Sequence, residues 1–215
     1  MASPSSHRKT SEAASLRATL RARDERIAVL EAEAKKLRRQ ATRDTLTGLS
    51  TRRHMEDAAK RMLALHSRDP SHPVALILCD IDRLKTINDR FGHIVGDVAL
   101  KRLGALIRRE TRQSDMAVRL GGDEFAIFIQ GQSVLNATLL AERIRAAVAQ
   151  LRLPSRAREH RMTLSFGVVR HRPGETFGRL LARADRLLYQ AKHRGRDRVE
   201  TDADSVPAVA RCSRR

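Results

Sequence analysis

The chain has 215 residues, 41% of them hydrophobic, which suffices for one ordinary domain with a packed core plus additional helix. Its 43 Lys and Arg against 25 Asp and Glu give a formal charge of +18, which favours anionic partners such as nucleotides, nucleic acid or an acidic membrane surface without choosing among them. Only 3% of the residues are aromatic, too few for base-stacking platforms and an argument against a specific nucleic-acid binder, and two cysteines, Cys79 and Cys212, offer neither a disulfide framework nor a metal cluster.

Residues 1–12 are polar and read as a disordered N-terminus. No apolar run approaches the roughly 18 residues needed to cross a bilayer, so the expectation is a cytoplasmic chain without a transmembrane segment. Across residues 13–43, Leu16, Leu20, Ile27, Leu30, Ala34 and Leu37 fall on the a and d positions of a heptad register, the pattern of an amphipathic coiled-coil helix. Arg23 occupies a d position and the stretch is under four heptads, so pairing of this stalk needs help from another contact; a solvated amphipathic helix is the competing reading.

A globular domain is expected to begin at Asp44, where Asp44-Thr45-Leu46-Thr47-Gly48-Leu49 punctuates the helix before Met55, Ala59, Met62 and Leu63 resume helical spacing. Val74 to Cys79 is a continuous apolar run, the pattern of a strand buried on both faces, and it ends in Asp80-Ile81-Asp82. Gly92 and Gly96 flank a predicted loop, and Leu100, Leu103 and Ile107 mark a helix. Met116–Leu120 and Asp123–Ile129 form two strands about Gly121-Gly122. Leu140, Ile144, Ala147, Val148 and Leu151 give another helix, Met162–Val169 a strand and Leu180–Lys192 a last helix, with residues 201–215 as a disordered tail. The order β, α, β, β, α, β, α describes an α+β, ferredoxin-like split βαβ sheet with helices on one face, occupying residues 44–200.

Asp80 at a strand end is by itself a solvated cap. Should Asp123 and Glu124 converge on it from the hairpin, the three carboxylates repel one another unless a cation neutralises them, which is the logic of a Mg²⁺ site. Gly121-Gly122 reads as a type I′ hairpin turn that also lets a phosphate or ribose approach the backbone.

Gly121-Gly122-Asp123-Glu124-Phe125 is the signature of the GGDEF family, and residues 44–200 resemble it throughout. Asp44-x-Leu46-Thr47-Gly48-Leu49, Asp80-Ile81-Asp82, Lys85, Asn88-Asp89, Phe91-Gly92-His93, Gly96-Asp97 and Leu188-Tyr189-x-Ala191-Lys192 match the family in order and spacing. The resemblance implies a nucleotidyl-cyclase type of fold and a diguanylate cyclase, which condenses two GTP into cyclic di-GMP and releases two pyrophosphates. It implies that Asp80, the Ile81 carbonyl, Asp123 and Glu124 hold Mg²⁺, with Mn²⁺ as a substitute, and that Asp123 and Glu124 share the catalytic role. Asn88 and Asp97 would read guanine, since a carboxylate accepts both guanine N1–H and N2–H. Lys85, His93, Gly121, Gly122, Lys192 and Arg196 would complete the substrate site.

Arg112-Gln113-Ser114-Asp115 stands at the family's RxxD position, which implies an inhibitory site where Arg112, Asp115 and Arg119 contact cyclic di-GMP; a surface ion pair is the plain alternative. Each domain would hold one GTP, so a homodimer is expected, with the stalk raising the effective concentration and offering a surface to a sensor partner. Leu84, Thr51 and Asp197 depart from residues common in the family, none of them in a proposed catalytic role. The rival readings are a silent GGDEF receptor, which an altered acidic signature would favour, and a basic nucleic-acid or membrane-surface protein.

Overall fold

A computed structural model describes residues 21, 23, 25–34, 42–69, 71, 73–154 and 157–202. The expected N-terminal tail, residues 203–215 of the expected C-terminal tail, and Leu16, Leu20 and Leu37 of the heptad register lie outside the described residues, whereas Thr201 is in a strand and Asp202 is buried, which corrects the start of the C-terminal tail. The chain divides into two units, Met1–Ala41 and Thr42–Arg215. In the first, residues 25–34 form a helix, α1, whose Ile27, Val29 and Leu30 are large exposed apolar side chains. No helix among the described residues is long and apolar enough to cross a membrane.

The second unit runs β1 (Ser50–Thr51), α2 (Arg52–Arg68), β2 (Val74–Ile81), α3 (Leu84–Phe91), α4 (His93–Glu110), β3 (Met116–Gly121), β4 (Glu124–Gln130), α5 (Val134–Val148), β5 (Leu164–Arg170), α6 (Phe177–His193) and β6 (Val199–Thr201). Thr51, Ser133 and Thr176 open α2, α5 and α6, each hydroxyl accepting an amide N–H from the first turn. The sheet order is β1-β3-β4-β2-β5-β6. Its four central strands are mutually antiparallel, while β1 on β3 and β6 on β5 add parallel edges. β4 thus lies between β2 and β3, and β2 between β4 and β5, which is the split βαβ arrangement.

Strand β2 is buried along its whole length. Ala75, Ile77, Cys79 and Ile81 pack with α3, α4 and α5 on one side. Val74, Leu76 and Leu78 pack with Met55, Ala59 and Leu63 of α2 and with Leu180, Ala184, Leu187 and Leu188 of α6 on the other. Helices therefore cover both faces, which corrects the expectation of helices on one face. The physical reason is in β2 itself, since a strand that is apolar on both sides needs cover on both.

The loop expected between Gly92 and Gly96 is also corrected. The break between α3 and α4 falls at Gly92 alone, and Gly96 is buried inside α4. In the hairpin Gly121 pairs with Glu124, so Gly122 and Asp123 are the central turn residues. Gly122 has a φ of 51° but Asp123 is not in the positive half, so the turn is not type I′, which requires both.

Candidate active site

The C-terminal end of β2 brings the acidic residues together. Asp80 pairs in register with Glu124 on β4 and with Ser165 on β5, and the Ile81 amide donates to the Asp123 carbonyl at 3.3 Å. Asp80 is only 4% exposed. Burial, with the charges of Asp123 and Glu124, raises its carboxyl from 3.8 to about 6, although the Lys192 ammonium, with Nζ 2.8 Å from Asp80 Oδ2, pulls the other way. Like charges gathered at the end of a strand repel one another, and here one lysine offsets part of that repulsion. Carboxylates and a backbone carbonyl are hard oxygen donors and suit Mg²⁺ or Mn²⁺. Among the described residues no three Asp, Glu, His or Cys side chains are gathered closely enough to hold a metal ion as they stand, and Lys192 occupies Asp80.

Asn88 is on α3, and its Oδ1 is buried without a hydrogen-bond partner among the described residues. An orphaned buried acceptor is costly unless a ligand completes it. Gly96 makes room for it: a Cβ at that position would stand 1.8 Å from Asn88 Oδ1. Asp97, His93 and Lys85 are exposed on α4 and α3, Gly121 and Gly122 are exposed at the turn, and Arg196 follows Lys192 by one turn just past α6. The pattern Gly96-Asp97 is visible in the sequence, but that Gly96 serves Asn88 is not, because it depends on how α3 folds back on α4.

Arg112 and Asp115 close a tight turn between α4 and β3. The Arg112 amide donates to Asp115 Oδ2 at 3.0 Å and the Asp115 amide to the Arg112 carbonyl at 3.1 Å. This leaves the Arg112 side chain exposed and Asp115 Oδ1 buried without a partner. Arg143 of α5 joins the neighbourhood through Glu110, which accepts its Nε at 2.8 Å. Nothing in the spacing of the sequence marks Arg143.

Arg119 is not in contact with Arg112 or Asp115. It sits at the hairpin end of β3, about 13 Å of extended strand beyond Asp115. There its Nε and Nη2 donate to the Gly122 carbonyl at 3.1 and 2.8 Å, while Nη1 reaches both carboxylate oxygens of Asp44 at 3.3 Å. Burial pushes the Asp44 carboxyl up, but the Thr47 hydroxyl and amide together with Arg119 more than reverse this and hold it below the usual range.

Two hollows of about 470 and 330 Å³ lie at the opposite end of α6, lined among others by Arg172, Arg179 and Arg183 and by Lys60, Leu63 and Phe177. Neither touches the acidic cluster.

A split βαβ sheet whose hairpin turn brings two acidic residues to a buried aspartate defines a class of nucleotide-handling domain. The chain belongs to the GGDEF family: a profile described as "Diguanylate cyclase, GGDEF domain" matches residues 41–198. It is similar to the diguanylate cyclase DgcP of Pseudomonas aeruginosa, 35% identical over 84% of this chain and 28% of that protein. It is similar also to a solved structure of the coiled coil and GGDEF domain of DgcB from Caulobacter crescentus in complex with c-di-GMP, at 30% identity and TM-score 0.82, covering 87% of this chain and all of that one. A third likeness is to the Pseudomonas aeruginosa diguanylate cyclase SiaD in complex with its activator SiaC, at 29% identity and TM-score 0.74, covering 92% and 75%. The chain spans about half or less of the full-length bacterial relatives it matches.

Proposed function

We propose that the chain is a diguanylate cyclase that condenses two GTP into cyclic di-GMP, and the observation that carries this is the buried Asp80, paired in register with Glu124, next to the strand position that bonds to Asp123, and held by Lys192. The family relation and the likeness to named cyclases support the same reading. Asn88, through its orphaned Oδ1, and Asp97 hold the guanine; a carboxylate that accepts N1–H and N2–H selects against adenine. Lys192 and Arg196, with Lys85, take up the triphosphate, and the exposed Gly121-Gly122 turn lets the ribose and phosphates approach the backbone.

Asp80, the Ile81 carbonyl, Asp123 and Glu124 are the residues that would hold Mg²⁺ or Mn²⁺, which supplies charge stabilisation to the entering and leaving oxygens of the phosphoryl transfer. In each of two steps the 3′ hydroxyl of one GTP attacks the α-phosphate of the other in line and pyrophosphate leaves. The hydroxyl proton passes to a carboxylate of the Asp123 and Glu124 pair, whose roles in metal holding and proton transfer overlap. A ring closed from two nucleotides takes one from each of two domains, so two copies facing each other complete it as a homodimer. Arg112, with an exposed side chain, and Asp115, with one carboxylate oxygen unpartnered among the described residues, form the product-inhibition site, and the stalk pairs the copies and receives an activating partner.

The test is pyrophosphate release by the purified chain supplied with GTP or with ATP and Mg²⁺. Release from GTP alone, abolished in Asp80→Asn, is expected; equal release from both nucleotides, or full activity in Asp80→Asn, would refute the assignment.

A further inference from the structure

Asp82, two residues beyond Asp80, is 6% exposed, and no cation among the described residues pairs with it. Neutral donors fill its carboxylate instead. Oδ1 accepts the Ser165 hydroxyl at 2.7 Å, and Oδ2 accepts the Thr163 hydroxyl at 2.8 Å and the Asp197 amide at 3.1 Å. Segment 80–82 is therefore joined to the last turn of α6 through Asp80 on Lys192 and to the segment that follows α6 through Asp82 on Asp197.

The turn held in this way is strained. Arg196 and Asp197 have φ of 62° and 46°, two successive residues with side chains in the left-handed region, preceded by Gly195. Such backbone persists where its surroundings over-determine it, and it gathers at ligand clamps. Here the Arg196 amide donates to the Ala191 carbonyl at 2.9 Å and its carbonyl accepts Arg198 Nε at 3.3 Å. The Asp197 carboxylate is occupied by Arg145 of α5 at 3.0 Å and by Arg161 at 3.5 Å. With both ends of its peptide fixed and the neighbouring carboxylate already neutralised, the Arg196 guanidinium itself makes no hydrogen bond or ion pair among the described residues. A clamped backbone that carries an uncommitted cation is a device for presenting that cation.

We propose that Asp82 is a positioning residue for phosphate recognition: by holding the Asp197 amide it fixes the left-handed turn that presents Arg196, alongside Lys192, to the phosphate chain of the nucleotide. This rests on the nucleotide site proposed above. Sequence spacing gives no hint of it, because Asp82 and Asp197 are 115 positions apart.

The test is calorimetric titration of the full chain, with Mg²⁺, using the α,β-methylene analogue of GTP, which cannot be turned over, and GMP. Asp82→Asn and Arg196→Ala are each expected to weaken the analogue about tenfold, the loss of one charge-assisted contact, and to leave GMP within about twofold. The double variant should be no weaker than Arg196→Ala alone, since one acts through the other. An unaltered analogue affinity in Asp82→Asn, an additive loss in the double variant, or an equal loss for GMP would overturn the proposal. Should Asp82→Asn fail to fold, Arg145→Met loosens the same turn from α5, and a loss confined to the analogue supports the proposal while no change overturns it. A parent chain that does not prefer the analogue to GMP would instead contradict the nucleotide site itself.

Discussion

At Asp80 the sign of the pH effect follows from the direction of the shift. The folded chain binds this proton more tightly than the unfolded chain, so the contribution to stability is fully present below about pH 3.8 and is lost as the pH rises through about 6. Above that window the folded state carries the cost of an ionised, crowded carboxylate. Asp80→Asn removes the cost. In chelator, the stability of the variant relative to the parent should therefore rise by on the order of 2 kcal/mol between pH 4 and pH 8, read from urea unfolding, while turnover is abolished. A difference that stays flat with pH would contradict the burial and repulsion assigned to this group. Gly96 is a second residue whose role is spatial. With a Cβ 1.8 Å from Asn88 Oδ1, Gly96→Ala must displace the amide, and the expected result is a loss of GTP affinity of at least about tenfold with the fold retained, measured by nucleotide titration and circular dichroism. Unchanged affinity would remove Asn88 from the site.

At the scale of elements, much of the fold was legible. The run Val74–Cys79 reads as a fully buried strand because every position in it is apolar, and the hairpin reads from two strand-like runs about Gly121-Gly122. What was not legible is short or depends on distant partners. β1 and β6 have two and three residues, too few for any periodicity, and exist because β3 and β5 offer parallel edges. The division of α3 from α4 at Gly92 was blurred by Gly96, a glycine needed for close approach to Asn88 and not for a turn. The acidic residues of the site were legible from their motif, whereas the engagement of Arg119 by Asp44 and Gly122 was not, since Asp44 lies 75 positions away. The turn between α4 and β3 carries its own prediction. Arg112→Ala should leave initial turnover unchanged and raise the cyclic di-GMP concentration needed for half inhibition at least about tenfold, measured by adding product to the assay. Inhibition as strong as in the parent would assign this turn a structural role alone.

At the scale of the molecule, the proposed ring closure needs two copies of the domain. Ile27 and Leu30 expose apolar side chains on α1, and a second copy of this helix is the occupant that the heptad register favours. Turnover per chain should rise with protein concentration, and Leu30→Asp should raise the concentration for half-maximal activity about tenfold, the effect expected of a stalk proposed to act through effective concentration. Activity independent of concentration, in a chain that sediments as a monomer, would contradict the two-copy mechanism.

The most direct measurement is to incubate the purified chain with GTP and Mg²⁺ at concentrations high enough to force pairing, separate the nucleotides by chromatography and weigh the product. The account predicts a cyclic dinucleotide of two guanylates with two pyrophosphates released for each ring closed. GTP recovered intact, with the nucleotide bound but unreacted, would contradict it and make the acidic cluster part of a receptor.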